Sequence, residues 1–295
     1  MKSIGGNLLQ AVILASDNGW HIEELKRALK RKDIKAERVP ITELGAAVSS
    51  NFQLKTREKI LDDYDYIFVR VIPGGSLEQI ILRMDILNRM AALGKKIINK
   101  PSVIEKTVDK YYTQFILADH GLPTPETFVT EDFSQALEYC EKWEDVILKP
   151  IFGSLGKGIV RLQDEDTAYR VLRAWDENNF VFYLQKYIEH GQSDIRVFVC
   201  KGEIIAASQR CGSNWKTNVA RGAVSKKIDI PQHIKDMALK TAEILDLDYT
   251  GIDIVLENGS YKNAYIIEVN SIPGWYGLQQ VTDFNIADKI IELMI

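Results

Sequence analysis

The sequence predicts a mixed α/β chain, α+β in its second half, that opens on a small parallel sheet. Three observations carry this. Strand-like and helix-like segments alternate through the first hundred residues, as in a parallel sheet joined by crossover helices. Beyond Pro101 the strands instead come in hairpin-like pairs around turn residues. The chain has 295 residues, 46% hydrophobic and 26% charged, an ordinary globular composition long enough for two or three compact units.

Taken in order, Gln10–Ser16 (QAVILAS) reads as a buried strand. His21–Lys32 reads as an amphipathic helix with Ile22, Leu25 and Leu29 at helical spacing. Tyr64–Ile72 is a second strand, and Ser76–Gly94 a helix with a serine cap and a closing glycine. Lys96–Asn99 follows as a strand. Ser102–Gly121 predicts a helix or helix pair, and Leu122–Thr127 (LPTPET) an extended linker, because proline disfavours helix in the residue before it. DVILKP, a glycine loop and IVRL then read as strand, turn, strand, and Phe180–Ile188 as a further strand. Asp194–Arg210 predicts a hairpin turning at Lys201–Gly202. Pro231–Leu247 is helical, a second hairpin turns near Asn258–Gly259, and NIADKIIELMI closes as a helix.

The net charge of −4 gives no footprint for nucleic acid. No apolar run approaches the roughly 20 residues of a membrane helix. The opening MKSIGGNLLQAVILAS lacks a signal-type cleavage site and reads as the approach to the first core strand. Cys140, Cys200 and Cys211 show no metal spacing and no even pairing, which fits inert thiols in a reducing cytoplasm. The four histidines show no triad or metal spacing. A dinucleotide-dependent oxidoreductase is disfavoured because no G-x-G-x-x-G follows QAVILAS.

Two segments carry chemistry. In ILKPIFGSLGKGIV, three glycines in Gly153–Gly158 let the backbone approach a ligand and aim successive N–H groups at phosphate oxygens. The loop lacks the Lys-Ser/Thr ending and following helix of a Walker motif, so it reads as a flap between two strands. Lys149 ends the first strand within reach of a phosphate, and Lys157 is expected in solvent. Alone, the segment reads equally as a glycine turn with a surface lysine. In GIDIVLENGSYKNAYIIEVN, pairing Glu257 with Ala264 sets Asp253 across from Glu268, and Asn270 shares the face of Glu268. Three oxygen donors on one side suit magnesium. A solvent-facing polar hairpin is the alternative, which the surrounding isoleucines disfavour because buried carboxylates need cations or hydrogen bonds. Asp246 and Asp248 read as turn residues. Between the two segments, Arg210–Gly222 (RCGSNWKTNVARG) is basic, suited to binding phosphate or carboxylate or simply a surface loop; Trp215 would stack on a flat substrate or pack beneath it.

In this order the segments resemble the ATP-grasp superfamily, and within it the RimK-type α-L-glutamate ligases. The matching stretches are TVDKYYTQFILADHGLPTPET, ILKPIFGSLGKGIV, YLQKYIEHGQSDIRVFV, NWKTNVARGA and IIEVNSIPGW. VRVIPGGSLEQIILRMD and PGWYGLQ look like the ligases associated with tetrahydromethanopterin-type cofactors. The resemblance implies an ATP-grasp fold with an N-terminal α/β domain (1–100), a central subdomain with the glycine loop (101–189) and a C-terminal subdomain with the metal site (190–295). It implies ATP contacts from Lys110, Lys149, Gly153, Ser154, Gly156, Gly158, Asp194, Lys216, Thr217 and Asn218, and an adenine hinge at Gln185, Lys186, Tyr187 and Ile188. Lys186 stands where such ligases often carry glutamate. Lys149 and Arg210 would be catalytic, Arg221 a substrate clamp, and Asp253, Glu268 and Asn270 ligands for magnesium or manganese. The implied reaction activates a carboxylate as an acyl phosphate and traps it with an amine, most simply that of L-glutamate, with no nucleic-acid or membrane partner and a homodimer or homotetramer as assembly. The alternatives are a ligase for another amino acid or peptide, and an ATP-binding regulatory protein without turnover.

Overall fold

A computed structural model describes residues 9–49, 53–56, 64–153, 156–217 and 222–295. The first sheet is built by β1 (Gln10–Leu14), β2 (Lys35–Val39), β5 (Tyr66–Val69) and β6 (Lys96–Ile98) in the order β2-β1-β5-β6. Every pairing in it is parallel, as the alternation predicted. Helices α1 (Trp20–Arg31) and α2 (Leu77–Ala92) make two of its crossovers, and a small hairpin of β3 (Gly45–Ala47) and β4 (Gln53–Lys55) lies between β2 and β5. Ser76 caps α2 with Gln79 reciprocating, and Gly94 follows its end at φ 84°.

Helices α3 (Pro101–Val108) and α4 (Lys110–Asp119) form the expected pair, separated at Asp109, which caps α4 by accepting from the Tyr112 amide. They lead into an antiparallel sheet of β7 (Thr127–Thr130), β8 (Val146–Lys149), β9 (Val160–Leu162) and β10 (Phe182–Lys186), ordered β7-β10-β8-β9. Two helices unread in the sequence cover this sheet, α5 (Phe133–Trp143) and α6 (Glu165–Glu177). Both carried an N-terminal signal: the Asp132 side chain accepts from the Gln135 amide and that of Asp164 from the Thr167 amide.

The third sheet has β11 (Ser193–Cys200), β12 (Glu203–Cys211), β13 (Val224–Lys227), β14 (Tyr249–Leu256) and β15 (Ala264–Asn270), ordered β13-β12-β11-β14-β15, with α7 (Gln232–Ile244) packed on it. The β11–β12 hairpin turns at Lys201 and Gly202, both at positive φ (48° and 75°), as predicted. Short α8 (Tyr276–Gln279) and α9 (Ile286–Met294) return the chain to α1. The first and third sheets therefore share one core, in which Leu25, Leu29 and Phe68 pack with Phe198, Tyr249, Trp275 and Ile290. The middle sheet has its own, built on Ala136, Leu148, Leu172, Phe182 and Leu184.

Asn99 joins the first sheet to the third. Fully buried, it donates from Nδ2 to the carbonyls of Tyr249 (2.8 Å) and Ser271 (2.6 Å), while its Oδ1 accepts from the amides of Asp248 (2.6 Å) and Tyr249 (3.3 Å). Nearby, Arg70 donates to the Tyr249 hydroxyl and the Pro273 carbonyl and lies over the Trp275 ring. His21 accepts from the Trp275 amide at 3.0 Å; burial, then the Arg70 charge, lowers its pKa to about 3, so it stays a neutral acceptor. Asn99→Ala removes four hydrogen bonds and strands their buried partners, so a loss of about 2–4 kcal/mol in urea unfolding is expected. A loss below ~1 kcal/mol would show that this junction carries little of the fold.

Candidate ATP and metal site

The candidate cleft lies between the middle and third sheets and takes in about 880 Å³ of space, open solvent at its mouth included. Lys110, Lys149, Gly153, Gly156, Gln185–Ile188, Asp194, Arg210, Lys216, Thr217, Asp253 and Glu268 all line it. Ser154, Asn218 and Arg221, also singled out in the sequence, lie outside the described residues.

Antiparallel pairing places these groups. On the middle sheet, Lys149 closes β8 opposite Tyr183, and its Nζ donates to Gln185 Oε1 at 2.6 Å. Gln185 Nε2 in turn donates to Thr127 Oγ1. Gln185 thus orients the buried ammonium. Burial lowers the Lys149 pKa to about 8; the Glu268 charge opposes this, and Lys110 adds to it. Lys110, in the first turn of α4, donates to the carbonyls of Ile151 (3.2 Å) and Gly153 (3.0 Å) and so anchors the near leg of the glycine loop. Burial lowers its pKa too, against Glu268 and Asp109. Gly156 and Gly158 sit at φ 66° and 74°, where the loop turns back into β9. Lys157, expected in solvent, is exposed yet lines the mouth of the cleft.

The hinge segment is used differently at each position. The amides of Lys186 and Tyr187 donate to the carbonyls of Glu126 and Asp145. The Lys186 ammonium pairs with Glu126 at 2.9 Å near the surface, so the lysine found in place of glutamate is tied down beside the backbone. Arg161, gripped by Asp145 at 2.8 and 2.6 Å, stacks 3.5 Å from the Tyr187 ring centre. Trp215 lines the cleft with its ring edge-on to Tyr187, so it neither stands apart as a surface residue nor packs only beneath its loop. Lys216 crosses the cleft to donate to the Ile159 carbonyl at 2.7 Å.

The third sheet presents a checkerboard of charge. Asp194 lies opposite Arg210, Arg196 opposite Asp253, and Asp253 opposite Glu268. Arg210 grips Asp194 with two bonds of 2.6 Å and reaches Asp253 Oδ2 at 3.0 Å, while Thr217 Oγ1 also donates to Asp194. Asp194 is therefore a holder of Arg210, its oxygens turned to the guanidinium and Thr217. Burial acts to lower the Arg210 pKa, but Asp253 and Asp194 outweigh it and hold it above its ordinary range. Arg196 was not singled out in the sequence; its Nη2 donates to Asp253 Oδ2 at 2.9 Å and its Nε faces Oδ1. Its signal was its register, two residues from Asp194 on the same strand face. Cations outnumber carboxylates along the cleft: Lys110, Lys149, Lys157, Lys186, Arg210 and Lys216 line it with Asp194, Asp253 and Glu268, a positive balance that suits an anionic ligand.

The expected register holds at the site but not at the hairpin tip. Leu256, not Glu257, pairs with Ala264, and a bulge between Asp253 and Ile254 restores Asp253 opposite Glu268. Glu257–Gly259 instead form a short 3-10 turn. The extra residue is Ile267, and the bulge brings it and Glu268 together into the cleft. The Asp253 and Glu268 oxygens, with the Asn270 amide two residues on, make a hard-oxygen donor set that fits magnesium. Asn270 Nδ2 faces the Gly251 carbonyl at 3.4 Å. Among the described residues no group of three His, Cys, Asp or Glu could hold a metal, so two carboxylates and an amide would rely on further oxygens from a substrate.

A family model for the RimK-like ATP-grasp domain matches residues 107–294. The chain belongs to the RimK-like ATP-grasp family. It is an ATP-grasp ligase, as the motifs implied. Over 281 residues it is 34% identical to the tetrahydromethanopterin:alpha-L-glutamate ligase of Methanocaldococcus jannaschii, covering 93% of this chain and 94% of that one. It is 30% identical over 207 residues to the alpha-aminoadipate–LysW ligase LysX of Saccharolobus solfataricus, covering 68% and 74%. A RimK-domain ATP-grasp protein from Sphaerobacter thermophilus shares the fold at a TM-score of 0.75 and 16% identity, over 96% of this chain and 98% of that one. Among the described residues no helix is long and apolar enough to cross a membrane.

With Lys149 titrating at about 8, its ammonium is present below that pH and lost above it. The kcat/KM for ATP is therefore expected to fall as pH rises through this value, since that parameter reports the free enzyme. In Lys149→Arg the fall should move beyond about pH 10, because a guanidinium keeps its proton there. An unchanged profile would mean that Lys149 does not bind phosphate.

Proposed function

We propose that this ligase joins L-glutamate, through its α-amino group, to a carboxylate of a tetrahydromethanopterin-type cofactor. Similarity along nearly the whole chain to a ligase of that name supports this reading, whereas the likeness to LysX covers about two thirds. A protein or peptide carboxylate is the second acceptor class, supported by fold neighbours that include peptide-modifying ATP-grasp ligases.

The observation that carries the chemistry is the juxtaposition of Lys149 and Arg210 with the opposed carboxylates Asp253 and Glu268 in one cleft. The acceptor carboxylate takes the γ-phosphoryl group of ATP as ADP leaves, and the glutamate amine then attacks the acyl phosphate, giving an amide and phosphate with loss of an amine proton. Lys149 and Arg210 stabilise the negative charge of the phosphoryl group in transit, and their holders Gln185 and Asp194 keep them in place beforehand. Asp253, Glu268 and Asn270 would hold magnesium, which would supply positive charge for the phosphate oxygens. The glycine loop, anchored by Lys110 and bridged by Lys216 through Ile159, covers the phosphates and excludes water that would hydrolyse the activated acceptor. The Lys186–Ile188 strand end, with the apolar Ile147, Val255 and Ile267, receives the adenine. No serine, cysteine or histidine nucleophile is needed, and burial pushes Cys140 up to about 11 and Cys200 up to about 12, which makes them poor ones.

The test is magnesium-dependent phosphate release from ATP with glutamate and a panel of acceptors: a tetrahydromethanopterin-type pterin, a deazaflavin cofactor and a peptide ending in glutamate. Release that needs both glutamate and the pterin, and that drops by about 10³-fold or more in Glu268→Ala, is the expected result. Release with the peptide alone would move the assignment to the second class. Tight ATP binding without acceptor-dependent release would favour an ATP-binding regulatory role.

A further inference from the structure

Asp253 is expected to be a metal ligand, yet both of its oxygens already face guanidinium groups. From β11 Arg196 donates to Oδ2 through Nη2 and lies against Oδ1 through Nε without a hydrogen bond, and Arg210 reaches Oδ2 from β12. The two arginines are not equivalent. Arg210 is committed to Asp194 through two short bonds and touches Asp253 only with its remaining reach. Arg196 gives its fork to Asp253, and its side chain is slightly more open, at 12% exposure against 6% for Arg210. A site for Arg196 has also been kept clear. A Cβ on Gly251 would fall 2.4 Å from Arg196 Nη1, so any larger residue there would push the guanidinium from its place beside Asp253. Gly251 pairs with Asn270 across β14 and β15.

We propose that Arg196 is a built-in counter-ion that holds Asp253 in the metal-free enzyme and is displaced when divalent metal binds, so that it sets the metal affinity of the site. This rests on the assignment of Asp253 as a metal ligand. A guanidinium and a magnesium ion compete for the same carboxylate oxygens, and the positive charge beside the site further opposes an incoming cation. Without Arg196, Asp253, buried to 1% exposure, would be balanced in the apo protein by Arg210, which it shares with Asp194. Arg196 supplies the second cation and weakens the binding of bare metal. Metal brought in with the nucleotide phosphates has additional oxygen ligands and can displace the fork. The consequence is an enzyme that takes up metal as a nucleotide complex and ignores the free ion. Arg196 is in this sense a positioning residue, acting through Asp253.

The test measures Mn²⁺ binding by electron paramagnetic resonance, without nucleotide and then with ADP, in wild type, Arg196→Met, Arg196→Lys and Gly251→Ala. Arg196→Met keeps much of the side-chain volume and leaves Arg210 to hold Asp253. Gly251→Ala keeps the charge but pushes the guanidinium aside, and the Gly251 φ lies outside the left-handed region, so alanine introduces no backbone strain. In both, Mn²⁺ alone should bind about tenfold tighter, with a smaller gain when ADP is present, and Arg196→Lys should fall between them and wild type. Unchanged or weaker Mn²⁺ binding in both Arg196→Met and Gly251→Ala overturns the proposal and makes Arg196 an aid to the metal. Asp253→Asn separates the two levels: if it binds Mn²⁺ as wild type does, the metal assignment itself fails and the inference with it; if it loses Mn²⁺, the Arg196 and Gly251 variants alone decide.

Discussion

The fixed point of this molecule is the Arg210–Asp194 pair. Two bonds of 2.6 Å, both side chains nearly fully buried, lock a guanidinium at the floor of the cleft. A lone charge there would be very costly, so each partner depends on the other, and Thr217 and Asp253 complete their hydrogen bonding. The pair sits on adjacent strands joined by the tight turn at Lys201–Gly202, with a bulge next to Phe198 setting the register that holds at the pair. From it the rest of the charged face follows at every second residue: Arg196 beside Asp194, Asp253 across from Arg196, and Glu268 across from Asp253. One set of main-chain pairings thus delivers a buried guanidinium and two carboxylates to one surface.

The cleft also depends on how the cores are divided. The first and third sheets are welded by a common core, by Asn99 and by the Arg70–Trp275–His21 cluster. The loop after β15 that carries Pro273 and Trp275 is held there, immediately beyond the metal-type residues. The middle sheet packs on itself. What crosses from it to the rest includes polar reach across the cleft, such as Lys216 to Ile159. Such an arrangement suits a ligase that must admit its substrates and then exclude water: a rigid floor carries the charges, and a separate roof carries Lys149 and the glycine loop.

Much of this was legible in the sequence because it follows from local rules. The parallel first sheet came from alternation, the β11–β12 turn from Lys-Gly between β-rich runs, and the flap character of the glycine loop from IVRL reading as a strand and not a helix. The opposition of Asp253 and Glu268 was legible too, but by a register that proved right only at the site. The bulge at Ile267 absorbs the one-residue difference, and no turn rule announces a bulge in an isoleucine-rich strand. Asn99 and Arg196 were not singled out, since each acts through partners distant in sequence. Helices α5 and α6 were not legible despite their aspartate caps, because each buries only a sparse apolar stripe, Ala136 and Cys140 in one and Ala168 and Leu172 in the other. Motif resemblance supplied the residue set, and the structure shows that some of its cleft-lining members, such as Gln185 and Asp194, spend their hydrogen bonds on holding Lys149 and Arg210 in place.

The central claim is that Asp194 serves catalysis by fixing Arg210, so the two should act as a unit. The direct measurement is a double-mutant cycle on kcat for Asp194→Asn and Arg210→Lys, with folding of each variant confirmed by circular dichroism. The account expects the double variant to be no slower than the slower single one, because once the guanidinium fork is lost its holder has nothing to orient. Losses that multiply in the double variant would contradict it and give Asp194 a separate role.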